Sequence, residues 1–74
     1  MEIERPLDAL NAARNQRVLV ELKNKMQFTG KLKAFDIHIN TVLDDAEERE
    51  NGELKRKIGT AFIRGDMITL ISPI

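Results

Sequence analysis

Residues 17–22, RVLVEL, place apolar side chains at every second position: Val18, Val20 and Leu22. A period of two is the mark of a strand with one face on a core. KNK interrupts the alternation, with Asn24 as the natural turn residue. MQFTGKLKAF then resumes it through Met26, Phe28, Leu32 and Ala34. Gly30 falls on the apolar side of that run, where a glycine signals a sharp bend or a close backbone approach. At Phe35 the phase slips. In FDIHIN, residues 35–40, Phe35, Ile37 and Ile39 alternate with Asp36, His38 and Asn40. A slip turns the chain over, so a bulge or loop is expected to begin near Asp36.

Before the strands, RPLDALNAAR predicts one short helix over about residues 6–14. Pro6 suits a first helical position, Asp8 complements the helix dipole, and Asn15 is a natural stop. Leu7, Leu10 and Ala13 or Arg14 form its stripe, while Arg5 is a poor N-cap. After FDIHIN, TVLDDAEERENGELKRKIGTAFI reads as a long hairpin about Asn51-Gly52, the strongest short signal for a type I′ turn. That register sets Glu48 opposite Lys55 and Glu47 opposite Arg56, with Glu50 and Glu53 side by side at the turn. The outer half of the hairpin is nearly all charged and should project into water.

The last segment, MITLISPI, carries Met67, Ile68, Leu70 and Ile71 on both faces. So short a chain can hardly cover such a strand twice, and a neighbouring copy pairing along this edge would do so. Edges joined head to tail close into a ring when the rotation allows. The fold class expected is mainly β: a short N-terminal α-helix followed by a strongly bent five-stranded antiparallel open barrel, one domain spanning 1–74.

Composition narrows the choice. The chain has 74 residues and no cysteine, so disulfides and thiolate metal sites are excluded. A domain this small has a marginal core, and oligomerisation is the remedy left to it. Twelve Lys and Arg balance twelve Asp and Glu. Any nucleic-acid binding must then use local placement of charge and stacking, not a basic coat. No membrane span or signal peptide is expected, which makes the cytoplasm the default location.

Two polar constellations stand out: Asp36, His38 and Asn40 in FDIHIN, and Arg64, Gly65 and Asp66 in IRGD. Imidazole and guanidinium planes both stack on nucleobases. An Asn amide offers one donor and one acceptor, which matches uracil's N3–H and O4, and a nearby carboxylate would fix its direction. The plainer reading is a half-exposed histidine beside a turn that Asp36 and Asn40 close through side-chain to backbone bonds. A metal site from Asp36, His38 and Asp66 lacks a second nitrogen ligand. Ser72 and the threonines have no histidine partner in the pattern, so no catalytic site, cofactor or metal is expected.

These motifs resemble the archaeal Sm-like (LSm) family over nearly the whole chain. The first Sm motif corresponds to about residues 18–48, with Gly30 and Asp36-x-His38-x-Asn40, and the second to about 58–73, with IRGDMI. The resemblance implies homo-oligomeric rings, a heptamer with a hexamer as the alternative, joined through the fourth and fifth strands. It implies uridine-rich single-stranded RNA at the inner pore, with other RNA-processing proteins as further partners. Carried over, His38 and Arg64 would stack on the base, Asn40 would read its edge, Asp66 would hold Asn40, and Asp36 would brace the loop. A second RNA contact would fall on Arg5 and Phe35, although Phe35 lacks a hydroxyl. The sequence departs from many relatives in its first turn, which has NK where they have glycine. The implied role is a scaffold or chaperone in RNA metabolism, not an enzyme. The alternative is a structural oligomerisation module that binds protein partners with little RNA affinity.

Overall fold

The computed structural model describes residues 5–74. Helix α1 spans Pro6–Ala12 and is followed by strands β1 Arg17–Leu22, β2 Gln27–Phe35, β3 Thr41–Glu50, β4 Glu53–Ile63 and β5 Ile68–Pro73. A single 3₁₀ turn, Gly65–Met67, separates β4 from β5. All strand pairs are antiparallel, in the order β4-β3-β2-β1-β5. The barrel is therefore open, and β4 and β5 are its two free edges.

Proline occupies the start of α1 as its missing N–H allows, and Arg5 makes no side-chain cap. The helix stops two residues earlier than its stripe suggested, at Ala12. Ala13 and Arg14 then donate to carbonyls three residues back, and Asn15 turns the chain in the left-handed region at φ 68°. This tight exit buries Ala13. It also lets the Asn15 N–H reach the Leu32 carbonyl at 2.7 Å, tying the helix to β2.

The core is the product of the period-two pattern. Val18, Val20 and Leu22 of β1 meet Phe28 and Leu32 of β2 and Leu43 and Ala46 of β3. Leu10, Ala61, Ile63, Met67, Ile68 and Ile71 pack around them, each only partly buried. Leu70 of β5 remains 48% exposed, as a strand with apolar groups on both faces in so small a domain must be.

The sheet bends where pairing slips. The β2–β3 register shifts between Thr29 and Lys31 and again between Leu32 and Ala34. Gly30 sits inside the first irregularity. A Cβ there would lie 3.0 Å from the Asp44 carbonyl oxygen and 3.2 Å from the Ala46 Cα, so the close approach of β3 demands glycine.

The hairpin turns at Asn51 and Gly52 with φ of 53° and 83°, as a type I′ turn requires. Its expected register holds only at the turn itself. The pairing shifts between Glu48 and Arg49, which sets Glu48 opposite Arg56 and Glu47 opposite Lys57. Asp45 at φ 50° and Gly59 at φ 91° accompany a second irregularity further along. The charges still find partners. Arg56 donates to the buried Glu48 at 2.7 Å, and Arg49 to Glu47 at 2.6 Å. The Arg56 hydrogen bond holds the Glu48 carboxyl below its ordinary value against the opposing effect of burial.

In the first turn Asn24 is the capping residue, its Oδ1 accepting from the Met26 N–H at 3.1 Å. The left-handed position falls on Lys25, at φ 72°. A residue with a Cβ costs on the order of 1–2 kcal/mol there, partly offset by glycine's greater loss of freedom on folding. Lys25→Gly should thus stabilise the fold by about 0.5–1 kcal/mol, seen as a rise of a few degrees in the thermal midpoint.

Candidate nucleic-acid interface

β2 delivers Phe35 to the rim of the sheet, and the chain leaves the ladder at Asp36, as the phase slip predicts. The loop 36–40 is built on one carboxylate. Asp36 Oδ1 accepts from the backbone N–H of His38 at 2.8 Å and of Asn40 at 3.1 Å. Aspartate commonly closes a turn this way. Its other oxygen accepts from Asn40 Nδ2 at 3.1 Å. The Ile39 N–H returns to the Asp36 carbonyl at 3.0 Å, and Thr41 Oγ1 donates to the Ile39 carbonyl at 2.7 Å. These bonds hold Ile39 at φ 63°, a conformation that costs a β-branched residue on the order of 1–3 kcal/mol.

The second motif reaches this loop from the end of β4. Asn40 Oδ1 accepts from the Gly65 N–H at 2.8 Å. A Cβ on Gly65 would overlap the His38 carbonyl oxygen and lie 2.7 Å from the Ile39 carbonyl carbon. The two loops can touch only because residue 65 has no side chain. Arg64 and Asp66 face outward and pair with each other at 3.0 Å. An exposed pair contributes little to stability, but it directs the guanidinium.

One carboxylate contact thus differs from the expectation. Asp36, not Asp66, holds the Asn40 amide, while also bracing the loop; Asp66 orients Arg64. With one N–H given to Asp36 and one lone pair taken by Gly65, Asn40 keeps one donor and one acceptor. His38 and Asn40 are exposed on the same loop, next to the exposed Arg64. The carboxylates of Asp36 and Asp66 are turned to different partners, and among the described residues no group of three or more His, Cys, Asp and Glu could hold a metal ion.

Arg5 and Phe35 take part in separate contacts. Arg5 pairs with Asp8 at the start of α1, at 3.4 Å. Phe35 packs against the core and lines an apolar groove of about 400 Å³ with Val42, Phe62, Asn40 and Arg64. Phe62 was not among the residues expected here. Its signal in the sequence was a large aromatic next to IRGD.

Residues 8–73 match the LSM domain family. The chain belongs to that family. It is 52% identical to a Methanococcoides burtonii protein named as snRNP Sm-like, over 93% of this chain and 96% of that one. Among solved structures it resembles the Pyrococcus abyssii Sm protein, determined in complex with a uridine heptamer. The two share 45% identity and a TM-score of 0.91, over 96% of this chain and all of the other. The SmAP1 heptamer of P. aerophilum is 34% identical with a TM-score of 0.90, over 99% of this chain and 97% of the other. The fold is therefore the LSM fold that the resemblance implied.

Two outcomes follow from this LSM loop pair. Gly65→Ala should part the loops, remove the hydrogen-exchange protection of the residue 65 amide and destabilise the fold by about 1–3 kcal/mol. The second concerns pH. The Asn40 amide, helped by the His38 and Asn40 backbone N–H groups, holds Asp36 below its ordinary value of 3.8, with burial opposing. The ionised form thus stabilises the loop throughout the range above 3.8, and that contribution is lost as pH falls through the lower folded-state value. In an acid titration followed by NMR, the His38 and Asn40 amide resonances should move together with a midpoint below 3.8.

Proposed function

We propose that this protein is a ring-forming RNA-binding scaffold or chaperone that takes uridine-rich single-stranded RNA at a pocket made by its two loops. The reading rests above all on the Asn40 amide. It is pre-oriented by Asp36 and by Gly65, and it keeps one donor and one acceptor for a base edge. Uracil presents the complementary pair in N3–H and O4. His38 and Arg64 supply planes for stacking, worth about 1–3 kcal/mol per base. Support also comes from the uridine-bound Pyrococcus abyssii relative.

Assembly follows from the sheet order. β4 and β5 are free edges at opposite ends, so a β4 edge of one copy is open to the β5 edge of the next. Repeated addition is head to tail and ends only on closure, as a heptamer by analogy with the P. aerophilum relative. A formally neutral subunit can then still present a ring of Arg64 side chains, and weak pockets acting on one strand multiply through effective concentration. The protein is not an enzyme in this reading, and it works in the cytoplasm.

Anisotropy titrations with oligo-U and oligo-A test the assignment. The wild type should prefer oligo-U. His38→Ala, which removes a side chain with no internal hydrogen bond among those described, should weaken oligo-U by about 1–3 kcal/mol per occupied pocket without disturbing the loop. Asn40→Ala should narrow the preference for oligo-U over oligo-A, and Arg64→Ala should weaken both and flatten the salt dependence. Equal affinity of the wild type for the two RNAs would refute the uracil assignment. An assembly that shifts neither RNA would favour a structural module for protein partners.

A further inference from the structure

The end of the sheet beside the base loop offers more surface than the base site uses. Ala34 of β2 pairs with Val42 of β3, and Val42 with Phe62 of β4, so the three side chains share one face as cross-strand neighbours. Phe35, Ile63 and the buried Thr41 alternate with them and belong to the opposite face, toward the core. Ala34 and Val42 are half-buried, and Phe62 beside them is 81% exposed. The phenyl ring is thus the open part of an apolar patch, not a lone surface aromatic.

This patch is continuous with the base site. Asp36, Asn40 and Arg64 line the same groove, whose volume of about 400 Å³ is ordinary for a small-molecule site. The oxygens of Asp36 are engaged by the His38 and Asn40 N–H groups and by the Asn40 amide. Arg64 is exposed and, among the described residues, pairs with Asp66 alone. Its guanidinium therefore stands where site and patch meet. A neighbour pairing along β4 would engage backbone groups in the plane of the sheet and leave its faces open.

We propose that Phe62, with Ala34 and Val42 beside it, is a second base platform that stacks the nucleotide adjoining the uracil at Asn40, so that each subunit takes two successive nucleotides. It rests on the base-site reading above, and it uses neither Arg5 nor Phe35, whose ring belongs to the other face. A strand with one base at Asn40 must place the next within one nucleotide's reach, and the patch shares that groove. Aromatic side chains on a sheet face stack bases of single strands, and every base has a π-face to offer. Arg64 is placed to take the phosphodiester between the two bases. Ala34, Val42 and Phe62 carry no polar side-chain atom, so the second position reads no base edge. It accepts purine and pyrimidine alike, and selectivity falls on one nucleotide of each pair.

The dinucleotides UpA and ApU, which set an adenine on either side of the uracil, test this against uridine 5′-monophosphate. An abasic dinucleotide that keeps the phosphodiester isolates the part due to the second base. Binding is read from the imidazole resonances of His38, the sole histidine of the chain. At least one of UpA and ApU should bind the wild type about tenfold more tightly than the mononucleotide or the abasic probe. The adenine ring current should also move the methyl resonances of Ala34 and Val42, which the mononucleotide leaves in place. Phe62→Ala should abolish the gain without changing mononucleotide affinity, and Phe62→Tyr should restore it. The side chain is exposed, so its truncation opens no core, and amide spectra check that the fold persists. A gain that survives Phe62→Ala would overturn the platform and assign the second base to another subunit's pocket. Equal weakening of mononucleotide and dinucleotide would overturn it as well. A wild type that gains nothing, with both methyls unmoved, would leave the groove to a protein side chain. A wild type that takes up no mononucleotide would instead overturn the base-site reading, and this inference with it.

Discussion

Asn40 donates to Asp36 and accepts from Gly65, and through those two bonds a single amide joins the first half of the chain to its end. The bonds are affordable only because residue 65 lacks a Cβ where the backbone of residues 38–40 passes. Remove that close approach and His38 and Arg64 become two unrelated exposed side chains. Held together, they bracket an amide whose direction is settled before any ligand arrives. Rotamer entropy is spent in folding, not in binding, which is the advantage of a preorganised site.

The same economy governs the rest of the molecule. Among the described residues, eight hydrophobic side chains form the buried core and five non-glycine residues are held at positive φ. Such corners cost free energy that a small core struggles to supply. Apolar surface left on both edges is the counterpart of this shortfall. It is too much for a contented monomer and is placed where further copies can cover it. Stability and association thus draw on the same apolar surface, while the loop 36–40 is held by hydrogen bonds.

Much of this was legible in the sequence, and the failures have physical causes. Period-two alternation located β1 and β2, the phase slip at Phe35 located the loop, and Asn51-Gly52 located the turn, since each depends on local geometry alone. The register beyond Arg49 was not legible. A bulge is decided by the partner strand, and Glu48 gains more from a direct Arg56 bond than from the turn's simple count. The shift of the Asn40 contact from Asp66 to Asp36 has a similar origin. Asp66 lies close to Arg64 along the chain and takes it, whereas an aspartate bonding backbone N–H groups two and four residues on was already the plain turn-closing reading of FDIHIN. That reading and the functional one are both right, because the turn is what aims the amide. Phe62 escaped because an exposed aromatic on the outer face of a strand leaves no mark in the core's period.

The slip of pairing around Gly30 has one more consequence, which concerns number. Head-to-tail copies close after seven when each turns by about 51° against the last, and after six when each turns by about 60°. The angle between the β4 and β5 edges is the summed twist and bend of the three strands between them, and bulges are the largest local contributions to it. Some nine degrees, roughly, therefore separate two different pore diameters. In a ring of such copies the number of subunits would be a property of the hinge angle of one sheet, which the bend around Gly30 helps to set.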